Sequence, residues 1–208
     1  MNSESCQVEV ILFDFGGVLA EEGFREGLMA LGRLNGLDPN TFMEKGFEVM
    51  HESGYATGKV SEEVYWQVMR DQTGIEGSTN FFQREILRRF VVRPWMIELV
   101  KKLKREGIRL GILSDQTNWL DELNKQYDFF KYFDRVYNSY HDGKSKRDVT
   151  LFKDVIGWFS ANPDKILFID DHPGNIERAD QAGLETILYK DRTGFMDEII
   201  QYCPFLKG

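Results

Sequence analysis

Four polar positions in this chain each follow an apolar run: Asp14, Ser114, Lys146 and the pair Asp170-Asp171. Asp14 closes Val10-Ile11-Leu12-Phe13 and is followed at once by Phe15-Gly16-Gly17. Asp14 and Asp171 suit a hard cation such as Mg²⁺, which prefers carboxylate and carbonyl oxygens and keeps several waters. Ser114 can donate a hydrogen bond to a phosphate oxygen. Lys146 brings a positive charge to a phosphate and offsets the clustered acids, although Lys144 in the same loop is a rival for that role. Adjacent acids such as Asp170 and Asp171 repel, so placing both at a strand end is costly without a cation nearby. The combination describes phosphoryl transfer, where positioning and charge neutralisation do most of the work and a carboxylate can act as covalent nucleophile. Each residue alone has a plainer reading: a strand-end acid satisfying a turn, a serine capping a helix, a lysine in a solvated charged loop.

The elements that must position these groups follow from the hydrophobic pattern. Strands are expected at 8–13, 109–113, 135–138, 166–169 and 186–189. The first and fourth are almost wholly apolar, as strands covered on both faces should be. A helix is expected over 95–106, with Pro94 at its start, an apolar stripe of Met96, Leu99, Val100 and Leu103, and Gly107 as its stop. A second is expected over 173–182, stopped by Gly183. Alternating strands and helices predict an α/β fold, a doubly wound parallel sheet with helices on both sides. Ligands bind such sheets outside the carboxyl ends of the strands, so residues scattered in sequence should converge there.

Residues 22 to 90 break the rhythm. They hold no convincing strand, and turn-like glycine clusters separate helical pieces at 40–52, 61–73 and 79–90. Ser61-Glu62-Glu63-Val64 opens the second of these with an N-cap and early acidic charge. The expected organisation is a core built from 1–20 and 92–208, with an all-helical cap at 21–91.

Composition sets limits. At 208 residues the chain fits one domain with a sizeable insertion, and 42% hydrophobic content supports a real core. A formal net charge of -8 argues against a nucleic-acid partner. No apolar run is long enough to span a bilayer. Met1 to Ser5 lack a secretion signal, and the expected location is cytoplasmic. Cys6 and Cys203 are the two cysteines, and two reduced thiols are expected. The three histidines, His51, His141 and His172, lack partners at zinc-ligand spacing. The expected partner is a small-molecule phosphate ester, and the expected state a monomer or weak homo-oligomer.

Taken together, the motifs resemble the haloacid dehalogenase-like (HAD) superfamily. Asp14-Phe15-Gly16-Gly17-Val18, Leu113-Ser114-Asp115, Gly143 to Lys146, and Phe168 to Ile176 match its four motifs in order, with a helical insertion where that family carries its cap. The resemblance implies a Rossmann-like core and a phosphoaspartyl intermediate on Asp14. It implies Mg²⁺ held by Asp14, Asp171 and the carbonyl of Gly16, with Asp170 behind them orienting the metal's water or pairing with Lys146. It also implies phosphate contacts from Ser114, Lys146, the Asp115 main chain and Gly17.

Three positions depart from the family pattern. Many of its phosphatases carry a second aspartate at the position of Gly16, which protonates the leaving oxygen and then activates water. Losing such a group typically costs about 10²–10⁴ in rate. Some sugar-phosphate phosphatases look similar in having glycine there. Without an acid at 16, esters whose leaving group needs little protonation are the expected substrates, unless Glu21 or Glu22 reaches back into the site. Asp115 stands where asparagine is common, so its side chain should point elsewhere. Arg147 stands where proline is usual. Asn175 is expected only to start its helix. In the insertion, Phe24, Arg25, His51, Tyr55 and Trp66 are candidates to face a substrate, as is Trp119 from the core. Two other readings stay open: a metal-free 2-haloacid dehalogenase using Asp14 on carbon, and a non-catalytic binder of phosphorylated ligands.

Overall fold

A computed structural model of the protein describes residues 5–207. Met1 to Glu4, which bore on the expected lack of a secretion signal, lie outside the described residues. Along the chain run β1 (Val10–Phe13), α1 (Gly23–Leu34), α2 (Pro39–Glu52), α3 (Glu62–Thr73), α4 (Thr79–Leu87), α5 (Pro94–Arg105), β2 (Arg109–Ser114), α6 (Trp119–Tyr127), β3 (Arg135–Asn138), α7 (Ser139–Asp142), α8 (Thr150–Phe159), β4 (Ile166–Asp170), α9 (Pro173–Gln181), β5 (Glu185–Leu188) and α10 (Arg192–Tyr202).

The five strands form one parallel sheet in the order β3-β2-β1-β4-β5. The order reverses at β1, which pairs with β2 on one side and β4 on the other. Such a switch point opens a crevice beyond the strand ends. Side chains alternate across the sheet. Val10 and Leu12 therefore join Leu151, Phe152 and Val155 of α8, while Ile11 and Phe13 join the core on the opposite face with Val100 and Leu120. Both faces of β1 are buried, which accounts for its unbroken apolar sequence.

Helices α1 to α4 fill the interval between β1 and α5. The chain leaves and re-enters the sheet region at one point: Ala20 bridges Val92 antiparallel, and the Glu21 N–H donates to Val91 O at 3.0 Å. The sequence reading missed α1, because Gly23, Gly27 and Gly32 lower its helix propensity. Packing overrides that weakness. A β-carbon on Gly27 would lie 2.8 Å from Ile86 Cδ1, so the glycine lets α1 and α4 touch closely.

Cys6 and Cys203 form a disulfide, which corrects the expectation of two reduced thiols. The two ends of the chain are brought together locally: the Gln7 N–H donates to Tyr202 O at 2.7 Å, and its side-chain amide donates to Gln201 O at 2.9 Å. Among the described residues, no helix is long and apolar enough to cross a membrane.

Candidate active site

The register of the sheet brings the chemistry together. Phe13 lies opposite both Ile112 and Ile169, so the carboxyl ends of β1, β2 and β4 lie side by side, with β4 running one residue and β2 two residues further. Asp14, Ser114 and Asp170 occupy those ends, and the Asp14 N–H donates to Ile169 O at 2.8 Å.

Asp14 is buried and held from two sides. Its Oδ1 accepts from the Phe15 N–H at 2.6 Å and from Ser114 Oγ at 2.9 Å. Its Oδ2 lies 2.9 Å from Lys146 Nζ. That ammonium also lies 2.6 Å from Asp170 Oδ2 and is 2% exposed, so Lys146 is the lysine of the site. Lys144 instead turns to Thr150 Oγ1 and Asp154 at the surface. The Asp115 carboxylate is engaged elsewhere, accepting the Lys146 main-chain N–H at 2.8 and 3.0 Å and fixing the lysine loop. Arg147 is exposed.

Charge in this pocket is unbalanced. Burial pushes the Asp14 carboxyl well above the usual range, and repulsion from Asp170 and Asp171 adds to this against the pull of Lys146. Burial, then Asp170, raises Asp171. Lys146 behaves oppositely: burial disfavours its charge, but Asp14, Asp170 and Asp115 hold it firmly protonated. One ammonium thus faces a group of carboxylates. Oxygens of Asp14, Asp170 and Asp171 all lie within 4.8 Å of one another, a donor set of hard oxygens suited to a divalent cation.

Gly17 makes this geometry possible. It adopts φ 79°, and a β-carbon there would overlap the Asp171 carboxyl group. Gly16 is different. Its φ lies outside the left-handed region, and a β-carbon would meet Glu22 Oε2 at 3.2 Å. Glu21 turns outward to pair with Arg93 at 3.0 Å. Glu22 lines the cleft above Asp14. Burial, followed by repulsion from Asp171, raises its carboxyl above the usual range.

Several supporting residues escaped the sequence reading. Asn175, expected only to start its helix, donates to both carboxylate oxygens of Asp170 at 3.0 Å. Arg178 donates to Lys146 O at 2.7 Å and to Asn175 Oδ1 at 2.7 Å, tying α9 to the lysine loop. Arg93 donates to the carbonyls of Gly17 and Val18 at 2.6 and 2.8 Å, pinning the turn after Asp14. Asn175 offered only a polar side chain shortly after the end of β4, while Arg93, just before α5, and Arg178, within α9, carried no signal in the sequence.

The cleft holds about 80 Å³, with Asp14 and Ser114 at its base and Phe24, Phe47, Met50 and Trp119 around it. Of the six substrate-facing candidates, Phe24 and Trp119 line it. Tyr55 and Trp66 are buried in the core, with Tyr55 Oη donating to Asn118 Oδ1 at 2.6 Å and Trp66 Nε1 to Glu62 at 3.3 Å. Arg25 lies over the Phe47 ring, and His51 is half-buried. Trp119 Nε1 is, among the described residues, the one buried side-chain polar atom without a hydrogen-bond partner.

A family model for haloacid dehalogenase-like hydrolases matches residues 8–183. This chain is a haloacid dehalogenase-like hydrolase. Among curated proteins, the rat (Rattus norvegicus) bifunctional epoxide hydrolase 2 is 25% identical over 92% of this chain. The chain spans only 38% of that protein's length. D-ribitol-5-phosphate phosphatase of Bacteroides thetaiotaomicron is 23% identical over 92% of this chain and 97% of its own length. Among solved structures, that of a predicted HAD-like family hydrolase from Porphyromonas gingivalis has a TM-score of 0.77 at 23% identity, covering 94% of this chain and 97% of that one. A HAD enzyme from Bacteroides thetaiotaomicron, in complex with magnesium and inorganic phosphate, has a TM-score of 0.71 at 22% identity, covering 90% and 98%. These structural likenesses carry the HAD fold.

Proposed function

We propose that this hydrolase is a Mg²⁺-dependent phosphatase acting on a small phosphate monoester, such as a sugar phosphate, through a phosphoaspartyl intermediate on Asp14. One observation carries the reading: Asp14, Asp170 and Asp171 converge within 4.8 Å around a single buried ammonium. That excess of carboxylate counts against metal-free attack on carbon. Asp14, Asp171 and the carbonyl of Gly16 would hold the Mg²⁺, which would supply charge neutralisation at the transferring phosphoryl group.

The chain's own residues do the rest. Ser114 and the main chain of Asp115 and Gly17 bind phosphate oxygens beside Asp14. Lys146 orients the nucleophile and neutralises the phosphoryl oxygens. Asp170, gripped by Asn175 and Lys146, holds the lysine in place. Asp14 attacks phosphorus, and water later hydrolyses the aspartyl phosphate. Helices α1 to α4, joined to the sheet at the Ala20–Val92 bridge, act as a cap that excludes water and selects the substrate body. The unpartnered Trp119 N–H suits a hydroxyl or other acceptor on that body.

Phosphate release from a panel of sugar, alkyl and aryl phosphates, with and without Mg²⁺, tests this reading. Release that requires Mg²⁺ supports it. Turnover of a 2-haloacid with halide release in EDTA, and none of the esters, contradicts it.

A further inference from the structure

Gly16 leaves the leaving group without the proton donor that many relatives in the family carry at this position. The backbone does not demand glycine there, because its φ is not left-handed. What stands in the way of a side chain is another carboxyl group. A β-carbon on residue 16 would meet Glu22 Oε2 at 3.2 Å, nearer than Phe90 Cε1 at 3.6 Å or Gln116 Nε2 at 3.7 Å. The space that an acid at position 16 would enter is therefore taken by an acid from position 22.

Glu22 is also the N-cap of α1, but that role engages one oxygen. Oε1 accepts the Arg25 N–H at 3.4 Å, while Oε2 is the atom turned to Gly16. The same residue lines the cleft that contains Asp14, Ser114 and Trp119. Glu21, its neighbour, is committed to Arg93.

Resting on the phosphatase reading above, the geometry points to Glu22 as the general acid and base of this enzyme, delivered from the first helix of the cap. In the first step an Asp14 oxygen bonds to phosphorus as the ester P–O bond breaks. The Glu22 carboxyl gives its proton to the departing oxygen, releasing an alcohol and leaving a carboxylate. In the second step water bonds to phosphorus, Glu22 takes a proton from it, and the bond between phosphorus and Asp14 breaks. Phosphate leaves, and both residues return to their starting forms. The substrate range then extends to ordinary alkyl phosphates, beyond esters with self-sufficient leaving groups.

The test compares Glu22→Gln with wild type in Mg²⁺, on an alkyl phosphate and on p-nitrophenyl phosphate. Glutamine keeps the oxygen that caps α1 and removes the transferable proton. The expected result is a fall of about 10²–10⁴ in kcat/KM on the alkyl ester and less than about tenfold on the aryl ester. A burst of nitrophenolate near one equivalent should precede slow turnover, because the second step lacks its base. The double variant Glu22→Ala/Gly16→Asp, which moves the carboxyl to the other strut of the same space, should recover alkyl activity. Equal losses on both esters, or none, with no burst and no recovery, overturn the proposal while leaving the phosphatase reading intact. A wild-type enzyme that hydrolyses neither ester overturns both.

Discussion

The carboxyl group of Asp171 occupies the space that a β-carbon on residue 17 would fill. Gly17 is thus required twice, by its φ of 79° and by the close approach of the Asp171 carboxyl group. Gly17→Ala is expected to destabilise the fold by about 1–2 kcal/mol from backbone conformation alone and to push Asp171 out of line. The measurement is the Mg²⁺ concentration needed for half-maximal activity, which should rise at least about tenfold. An unchanged Mg²⁺ requirement would show that Asp171 does not depend on this opening.

Much of this site could be read from residue order, and the reason is topological. Asp14, Ser114 and Asp170 stand at the ends of apolar strands, and a parallel sheet must bring such ends together. The choice between Lys144 and Lys146 was not legible, because both lie in one short polar loop and only the fold buries one of them. Asn175, Arg93 and Glu22 were harder still. Arg93 reaches a carbonyl 76 positions earlier in the chain. Glu22 gains its meaning from a space beside Gly16 that no sequence pattern records. The glycine-rich α1 was lost because packing, not propensity, makes it helical, and the disulfide because distant cysteines carry no pairing signal.

Lys146 and Lys144 should separate cleanly on mutation. Lys146→Met removes the ammonium that pairs with buried Asp14 and Asp170 and should cost about 3–5 kcal/mol of stability, together with a loss of at least about 10² in kcat. Lys144 makes an exposed pair with Asp154, so Lys144→Met should cost at most about 1 kcal/mol and spare activity. Urea unfolding and phosphate-release kinetics on both variants check this. Comparable losses in the two would move the catalytic lysine from 146.

Trp119 lines the cleft, and its buried N–H has no hydrogen-bond partner among the described residues. Trp119→Phe keeps most of the ring and removes that donor. KM for the preferred substrate should rise about 2–10-fold, the worth of one hydrogen bond, with kcat little changed. An unaltered KM would mean that the N–H does not meet the substrate.

His51 offers a pH test of packing. Burial, with Arg147 nearby, depresses its pKa to about 4, against an ordinary value of about 6.5. Above about pH 6.5 the residue is neutral in both folded and unfolded states. As pH falls below that, the unfolded chain takes up the proton first, so stability is lost between about 6.5 and 4. Denaturant midpoints of wild type and His51→Asn should diverge across this window as acid is added, with wild type losing more. Parallel curves would place His51 in an ordinary solvated setting.

The central claim is that Asp14 carries the phosphoryl group. Acid-quenching the enzyme during turnover of p-nitrophenyl phosphate in Mg²⁺, followed by peptide mass spectrometry, tests it directly. One added phosphoryl group is expected on Asp14, absent from Asp14→Asn and from wild type in EDTA. Steady phosphate release by Asp14→Asn, or a phosphoryl group on another residue, would contradict it.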